Sequence, residues 1–168
     1  GRYAAAASMT GNQYKRLVAR YLLAAYGRRG LQLYEEVCVG TSIIGKQRRI
    51  DLFVHVPQTN QALALECKYQ DSSGTADEKI PYALDDLRAL RMPGAIIYAG
   101  GAFPEGFLHL RQSRDPPASC LPEEALLMPA GRRQGDSIDS GTWQLDHVIG
   151  VTFGWWDILL AGRTPLVL

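Results

Sequence analysis

Asp51, Glu66 and Lys68 interrupt apolar, strand-like runs with groups that can do chemistry: Ile50-Asp51-Leu52-Phe53-Val54, then Ala64-Leu65-Glu66-Cys67-Lys68-Tyr69-Gln70. The two acids are fifteen residues apart, and the lysine follows two residues after the second. Carboxylates brought together raise each other's proton affinity unless a cation sits between them. Mg²⁺ takes oxygen ligands and often uses one or two carboxylates, leaving positions for water and a substrate phosphate. An ion held in this way acidifies water and polarises a phosphoryl oxygen, which favours in-line attack on a phosphodiester. Lys68 could orient that water or stabilise charge developing on phosphorus.

For that chemistry Asp51 and Glu66 must lie side by side, and the local pattern supplies the means. A strand over Arg49–Val56, a polar connection Pro57-Gln58-Thr59-Asn60-Gln61 and a strand over Ala62–Gln70 read as an antiparallel hairpin. Alternation puts Ala64, Glu66, Lys68 and Gln70 on one face of the second strand and Leu63, Leu65, Cys67 and Tyr69 on the other. The Cα atoms of Glu66 and Lys68 are then about 7 Å apart. An acid and a lysine at mid-strand are seldom fully buried unless paired. A solvated sheet face laced with ion pairs is the structural alternative.

Upstream, Thr10 or Asn12 can cap a helix to about Tyr26, with Leu17, Val18, Tyr21, Leu22 and Ala25 at helical spacing and Gly27 closing it. Lys15, Arg16 and Arg20 fall on its other face, read as solvated or phosphate-facing. Leu31–Thr41 reads as a strand, and Gly40–Arg49 as a loop ending in the densest basic cluster, Lys46-Gln47-Arg48-Arg49. Lys46, Arg48 and Arg49 are candidate phosphate contacts. Downstream, Gly74–Lys79 forms a glycine turn with a Thr75/Glu78 capping box, and Lys79 there could meet a phosphate. A helix is expected from Pro81, carrying Leu84, Leu87 and Leu90 and ended by Pro93-Gly94, then a buried strand Ala95–Ala99 parallel to a neighbour. Residues 111–142 read as an irregular, loop-rich segment holding at most a short helix begun by Pro122. Val148–Leu160 reads as a closing apolar strand.

Length and composition bound the rest. The 168 residues are 46% hydrophobic, enough for one domain with a full core. The formal charge of +1 excludes a whole-molecule basic signature, so any nucleic-acid contact must come from local clusters. Cys38, Cys67 and Cys120 are odd in number and widely spaced, which reads as buried free thiols in a reducing, cytoplasmic setting. No apolar run is long enough to span a membrane. His55, His109 and His147 are isolated, against zinc catalysis. Gly1–Ser8 can be read as a remnant of expression engineering, and residues 9–168 as a single domain.

Asp51 followed by Glu66-Cys67-Lys68, each on an apolar strand and preceded by an amphipathic helix, resembles the PD-(D/E)XK nuclease superfamily over roughly Asn12–Tyr98. The resemblance implies an α/β restriction endonuclease-like fold, an α/β/α core with a central mixed β-sheet flanked by helices. It implies Mg²⁺ (with Mn²⁺ able to substitute) held by Asp51, Glu66 and the Cys67 backbone carbonyl, Lys68 beside the attacking water, and Gln70 supporting the site. Many members place a glutamate on the first helix, where this chain has Gln13; Gln13 through water, or Glu35 or Glu36 from the first strand, could take that outer position.

The implied function is a Mg²⁺-dependent endodeoxyribonuclease of restriction, homing or repair type acting on duplex or branched DNA, cutting both strands as a homodimer or higher homo-oligomer. A Holliday-junction resolvase is the alternative within the class. A non-catalytic nucleic-acid-binding protein that retains the fold is the alternative outside it.

Overall fold

The computed structural model describes residues 9–41, 44–69, 86, 87 and 89–99, the backbone of 118–120, and 142–168. Helix α1, Gly11–Tyr26, starts on a capping box: Thr10 Oγ accepts from the Gln13 N–H at 3.1 Å, and Gln13 Oε1 accepts from the Thr10 N–H at 2.9 Å. Tyr14, Val18, Tyr21, Leu22 and Tyr26 form its buried stripe. Gly27 closes the helix as expected, its N–H donating to the Leu23 carbonyl. It keeps right-handed geometry and leads into a 3₁₀ turn, Gly27–Arg29, and Gly30, at φ 86°, makes the left-handed stop.

Strands β1 (Gln32–Thr41), β2 (Gln47–Val56) and β3 (Gln61–Tyr69) form an antiparallel meander, and β4 (Gly94–Ala99) pairs parallel to β3. The parallel pair requires the chain to cross over between β3 and β4. A further short strand, β5 (Ala118–Cys120), pairs parallel to β4, giving a mixed sheet of order β1-β2-β3-β4-β5. This corrects the expectation that residues 111–142 would hold at most a short helix: three residues are too few to show an alternating pattern, and pairing with Ile96–Tyr98 is what makes them a strand. The Gly74–Lys79 turn and the start of the helix from Pro81 lie outside the described residues. Residues 86, 87 and 89 are helical, and Leu87 is buried.

The sheet is covered on both faces. Leu52, Val54, Leu63, Leu65, Cys67, Ala95, Ile97 and Ala99 pack with α1 and with α2 (Trp143–Phe153) on one side. Ala64, Ile96 and Tyr98 pack with Leu87 on the other. The result is the α/β/α layering expected, and the core face of β3 is the set that alternation assigned.

The apolar segment at the end of the chain is helical and not the strand expected over Val148–Leu160. Leu145, Val148, Ile149 and Phe153 recur at helical spacing and are buried against α1, so packing overrides the β-branched composition of the run. Gly154, at φ 69°, ends α2 and turns the chain into the four-residue α3, Trp156–Leu159. Arg29 closes this corner, with its guanidinium 5.2 Å from the Trp155 ring centroid and paired with Asp157. Asp146 of α2 is buried and accepts hydrogen bonds from the Tyr21 and Tyr26 hydroxyls, both at 2.5 Å, and from Thr142 Oγ at 2.9 Å. Burial holds its carboxyl above the usual range despite those three donors, and burial with the Asp146 charge pushes both tyrosine hydroxyls far above theirs. Among the described residues no helix is long and apolar enough to cross a membrane.

Candidate active site

The β2–β3 hairpin register ends at the pair Leu52–Leu65, one step short of Asp51 and Glu66. Beyond that point the strands part company. β2 continues along β1 through Ile50–Val37 and Arg49–Cys38, while β3 continues along β4 through Glu66–Ile96 to Tyr69–Ala99. Asp51 and Glu66 therefore sit at the fork of the sheet. Two backbone donors freed by the split are turned onto the acids: the Cys67 N–H donates to Asp51 Oδ2 at 2.9 Å, and the Asp51 N–H to Glu66 Oε1 at 3.4 Å.

Both acids are half-buried, as is Lys68. Burial raises the Glu66 carboxyl to about 8; the Asp51 charge and a shared hydrogen bond add to that, and Lys68 and the Asp51 N–H oppose it. A metal-free Glu66 is thus protonated around neutrality, the expected state of two desolvated acids with no cation between them. In an extended strand the N–H and C=O of one residue point to the same side. The Cys67 carbonyl accordingly faces the fork beside Asp51. Two carboxylates and a carbonyl match the few oxygen ligands that a Mg²⁺-type ion takes from protein, so the donor set fits such an ion. Among the described residues no group of three His, Cys, Asp or Glu side chains converges to hold a metal.

The Cys67 thiol points the other way, into the core beneath α1. Burial first, then the Asp51 and Glu66 charges, holds it well above the ordinary thiol range, so it is no nucleophile. Cys38 corrects the expectation of buried thiols, for it is exposed on β1; it and Cys67 are both free.

Glu35 and Glu36 are gathered around a residue that helical periodicity had placed on the wet face of α1. Lys15 is only 6% exposed. Its Nζ lies 3.0 Å from Glu36 Oε1 and 3.7 Å from Glu35 Oε2. Burial works against its charge, but Glu36, Glu35 and Asp51 outweigh burial and leave the ammonium held above its ordinary range. Arg16 and Arg20 are exposed as expected. Gln13 is spent on the capping box at the exposed start of α1.

Glu36 has φ 52°, left-handed backbone in the middle of a strand, and the flanking pairs Glu35–Leu52 and Val37–Ile50 set it opposite Asp51. Both strands turn over at this point. Leu33, Leu52 and Val54 pack on the α1 side of the sheet, whereas Val39 and Ile50 pack on the far side. No residue type at Glu36 signals this, since glycine would be the ordinary choice there.

Arg49 is exposed on β2 two residues before Asp51, Lys46 is exposed just ahead of that strand, and Arg48 is half-buried with its Nε finding no hydrogen-bond partner among the described residues. Arg48 and Arg49 belong to β2, which starts at Gln47, and not to a loop. Gln70 and Lys79 lie outside the described residues. His55 meets Asn60 at 3.1 Å, and His147 stacks edge-on to Trp143, both away from the acids.

Among known protein families, the model described as a PD-(D/E)XK nuclease superfamily domain matches residues 10–156, from the cap of α1 to the start of α3. No curated protein and no solved structure matches the chain.

Proposed function

The chain belongs to the PD-(D/E)XK nuclease superfamily, and we propose that it is a Mg²⁺-dependent endodeoxyribonuclease whose working residues are Asp51, Glu66 and Lys68. The observation that carries this is the fork, where the hairpin stops pairing at Leu52–Leu65 and two backbone N–H groups hold the facing acids.

Asp51 Oδ2 is anchored by the Cys67 N–H, leaving Oδ1 to ligate. Glu66 and the Cys67 carbonyl complete the protein's share of the ligands. Mg²⁺, or Mn²⁺ in its place, would supply an acidified water and a polarised phosphoryl oxygen. Lys68, two positions beyond Glu66 on the same face, orients the attacking water and offsets charge developing on phosphorus. Lys46, just ahead of β2, and Arg48 and Arg49, on the arm of β2 that continues past the fork, contact the DNA backbone, with Gln70 as a supporting residue and Lys79 as a further phosphate contact.

One such site addresses one strand, so cutting a duplex calls for a homodimer or higher homo-oligomer. The free thiols of Cys38 and Cys67 support a reducing, cytoplasmic setting.

The test is cleavage of supercoiled plasmid and of a four-way junction by the unmodified protein, Glu66→Ala and Lys68→Ala, each with Mg²⁺ and with EDTA. Nicking or linearisation that needs Mg²⁺ and is lost in both variants is expected. Cleavage that persists in both would remove Glu66 and Lys68 from the mechanism. Junction cleavage without plasmid cleavage would make the protein a resolvase, and DNA binding without any cleavage would make it a binding protein on this fold.

A further inference from the structure

Lys15 is a buried ammonium on the core side of an amphipathic helix, next to fully buried Tyr14. An apolar side chain at this position would avoid the loss of hydration that a buried charge suffers. What surrounds Lys15 is acidic: Glu36 at 3.0 Å, Glu35 at 3.7 Å, and Asp51 close enough for its charge to act on the ammonium. Glu36, the carboxylate Lys15 holds most tightly, stands opposite Asp51 in the β1–β2 register.

We propose that Lys15 is a positioning residue for the candidate metal cradle, a fixed cation that holds Glu36 across from Asp51 and sets how strongly the fork attracts a divalent ion. The proposal rests on the fork being a metal site and goes beyond it by assigning the charge control to a helix residue that touches none of the reacting groups. With Lys15 in place, the carboxylates on the β1 side of Asp51 are partly neutralised, and the fork offers a divalent ion less net negative potential. Removing the ammonium leaves Glu35 and Glu36 uncompensated near Asp51 and tightens binding. Removing the Glu36 charge leaves the ammonium less compensated and weakens it.

Mn²⁺ alone is the probe, titrated into the full chain and followed by loss of the free-ion electron paramagnetic resonance signal, so that no cleavage is needed. Lys15→Met keeps a buried stem of similar length and removes the charge, and it should bind Mn²⁺ on the order of tenfold more tightly. Lys15→Arg should bind within about twofold of the unmodified protein, and Glu36→Gln should bind several-fold more weakly. Circular dichroism and thermal melting establish that each variant is folded. Unchanged or weaker binding by folded Lys15→Met overturns the proposal, and so does unchanged binding by Glu36→Gln. Should Lys15→Met not fold, Glu36→Gln, whose side chain is nearly half exposed, decides alone. If the unmodified protein takes up no Mn²⁺, the metal site itself is refuted, an outcome distinct from a site that binds but ignores Lys15.

Discussion

The backbone N–H of Cys67 donates a 2.9 Å hydrogen bond to Asp51 Oδ2 across the point where β2 and β3 separate. A ladder hydrogen bond has been exchanged for one to a side chain, so Asp51 is held by the same backbone that carries Glu66 and Lys68. The position of one acid is thereby tied to the strand of the other.

That tie separates stability from activity at Asp51. Asp51→Asn keeps an oxygen for the Cys67 N–H and removes a charge facing Glu66, so its melting temperature should equal or exceed that of the unmodified protein. Asp51→Ala leaves the N–H without its partner and should cost about 1 kcal/mol. Both should lose Mn²⁺ binding. Urea denaturation beside a metal titration checks the pair, and a large loss of stability in Asp51→Asn would show that the charge itself is structural.

The raised Glu66 carboxyl makes metal binding a proton-releasing event. At pH 7, below the value of about 8, an incoming ion must displace the proton, so affinity should climb with pH and level off above that value. Calorimetric heats in buffers of different ionisation enthalpy report the released proton, and Glu66→Gln should abolish it.

The same shift carries a sign for stability. A carboxyl whose folded value is raised binds its proton more tightly when folded, so its contribution is fully present below the unfolded value near 4.5 and lost as pH rises toward about 8. In EDTA the protein should therefore melt lower at pH 9 than at pH 6. Glu66→Gln should flatten that difference.

Glu36 lies in a region of backbone space that costs a non-glycine residue about 1–3 kcal/mol. Glu36→Gly and Glu36→Ala both lose the contact with Lys15, but only glycine relaxes φ 52°. Glycine should come out the more stable of the two by roughly 1 kcal/mol, measured by urea denaturation. The reverse order would mean that β1 straightens when Glu36 is replaced.

Asp146 serves as the structural contrast. Replacing it by alanine leaves the Tyr26 hydroxyl and Thr142 Oγ without their acceptor at the α1–α2 contact and Tyr21 with Thr142 Oγ alone, and should cost about 2–3 kcal/mol. Tyr26→Phe should cost about 1 kcal/mol. Neither substitution should change Mn²⁺ affinity in the protein that remains folded, because the cluster's hydrogen bonds involve none of the fork residues.

The juxtaposition of Asp51 with Glu66, the charged face of β3 and its core face were all legible in the sequence. A short polar connection fixes antiparallel register, and strand alternation then sorts the side chains, so both are consequences of local geometry. The burial of Lys15 was not legible. Helical spacing locates the stripe at Leu17, Val18, Tyr21, Leu22 and Ala25, but the width of that stripe depends on what β1 presents to it, and Glu36 is twenty-one residues away. Nor was the helix over Trp143–Phe153, whose β-branched residues favour a strand until α1 supplies a surface that fits helical spacing. Asp146 likewise carried no signal, because its donors Tyr21 and Tyr26 lie far from it along the chain.

By itself, then, the sequence determined that Asp51 faces Glu66 and that Glu66 and Lys68 share one face of β3, since hairpin register and period-two alternation act over neighbouring residues. Tertiary structure alone decided that the sheet forks at Asp51, that Glu36 takes left-handed backbone opposite it, and that Lys15 is buried among its acids. Those features arise where β1, β2, β3 and α1 meet, and contacts between distant segments leave no periodic trace in any one of them.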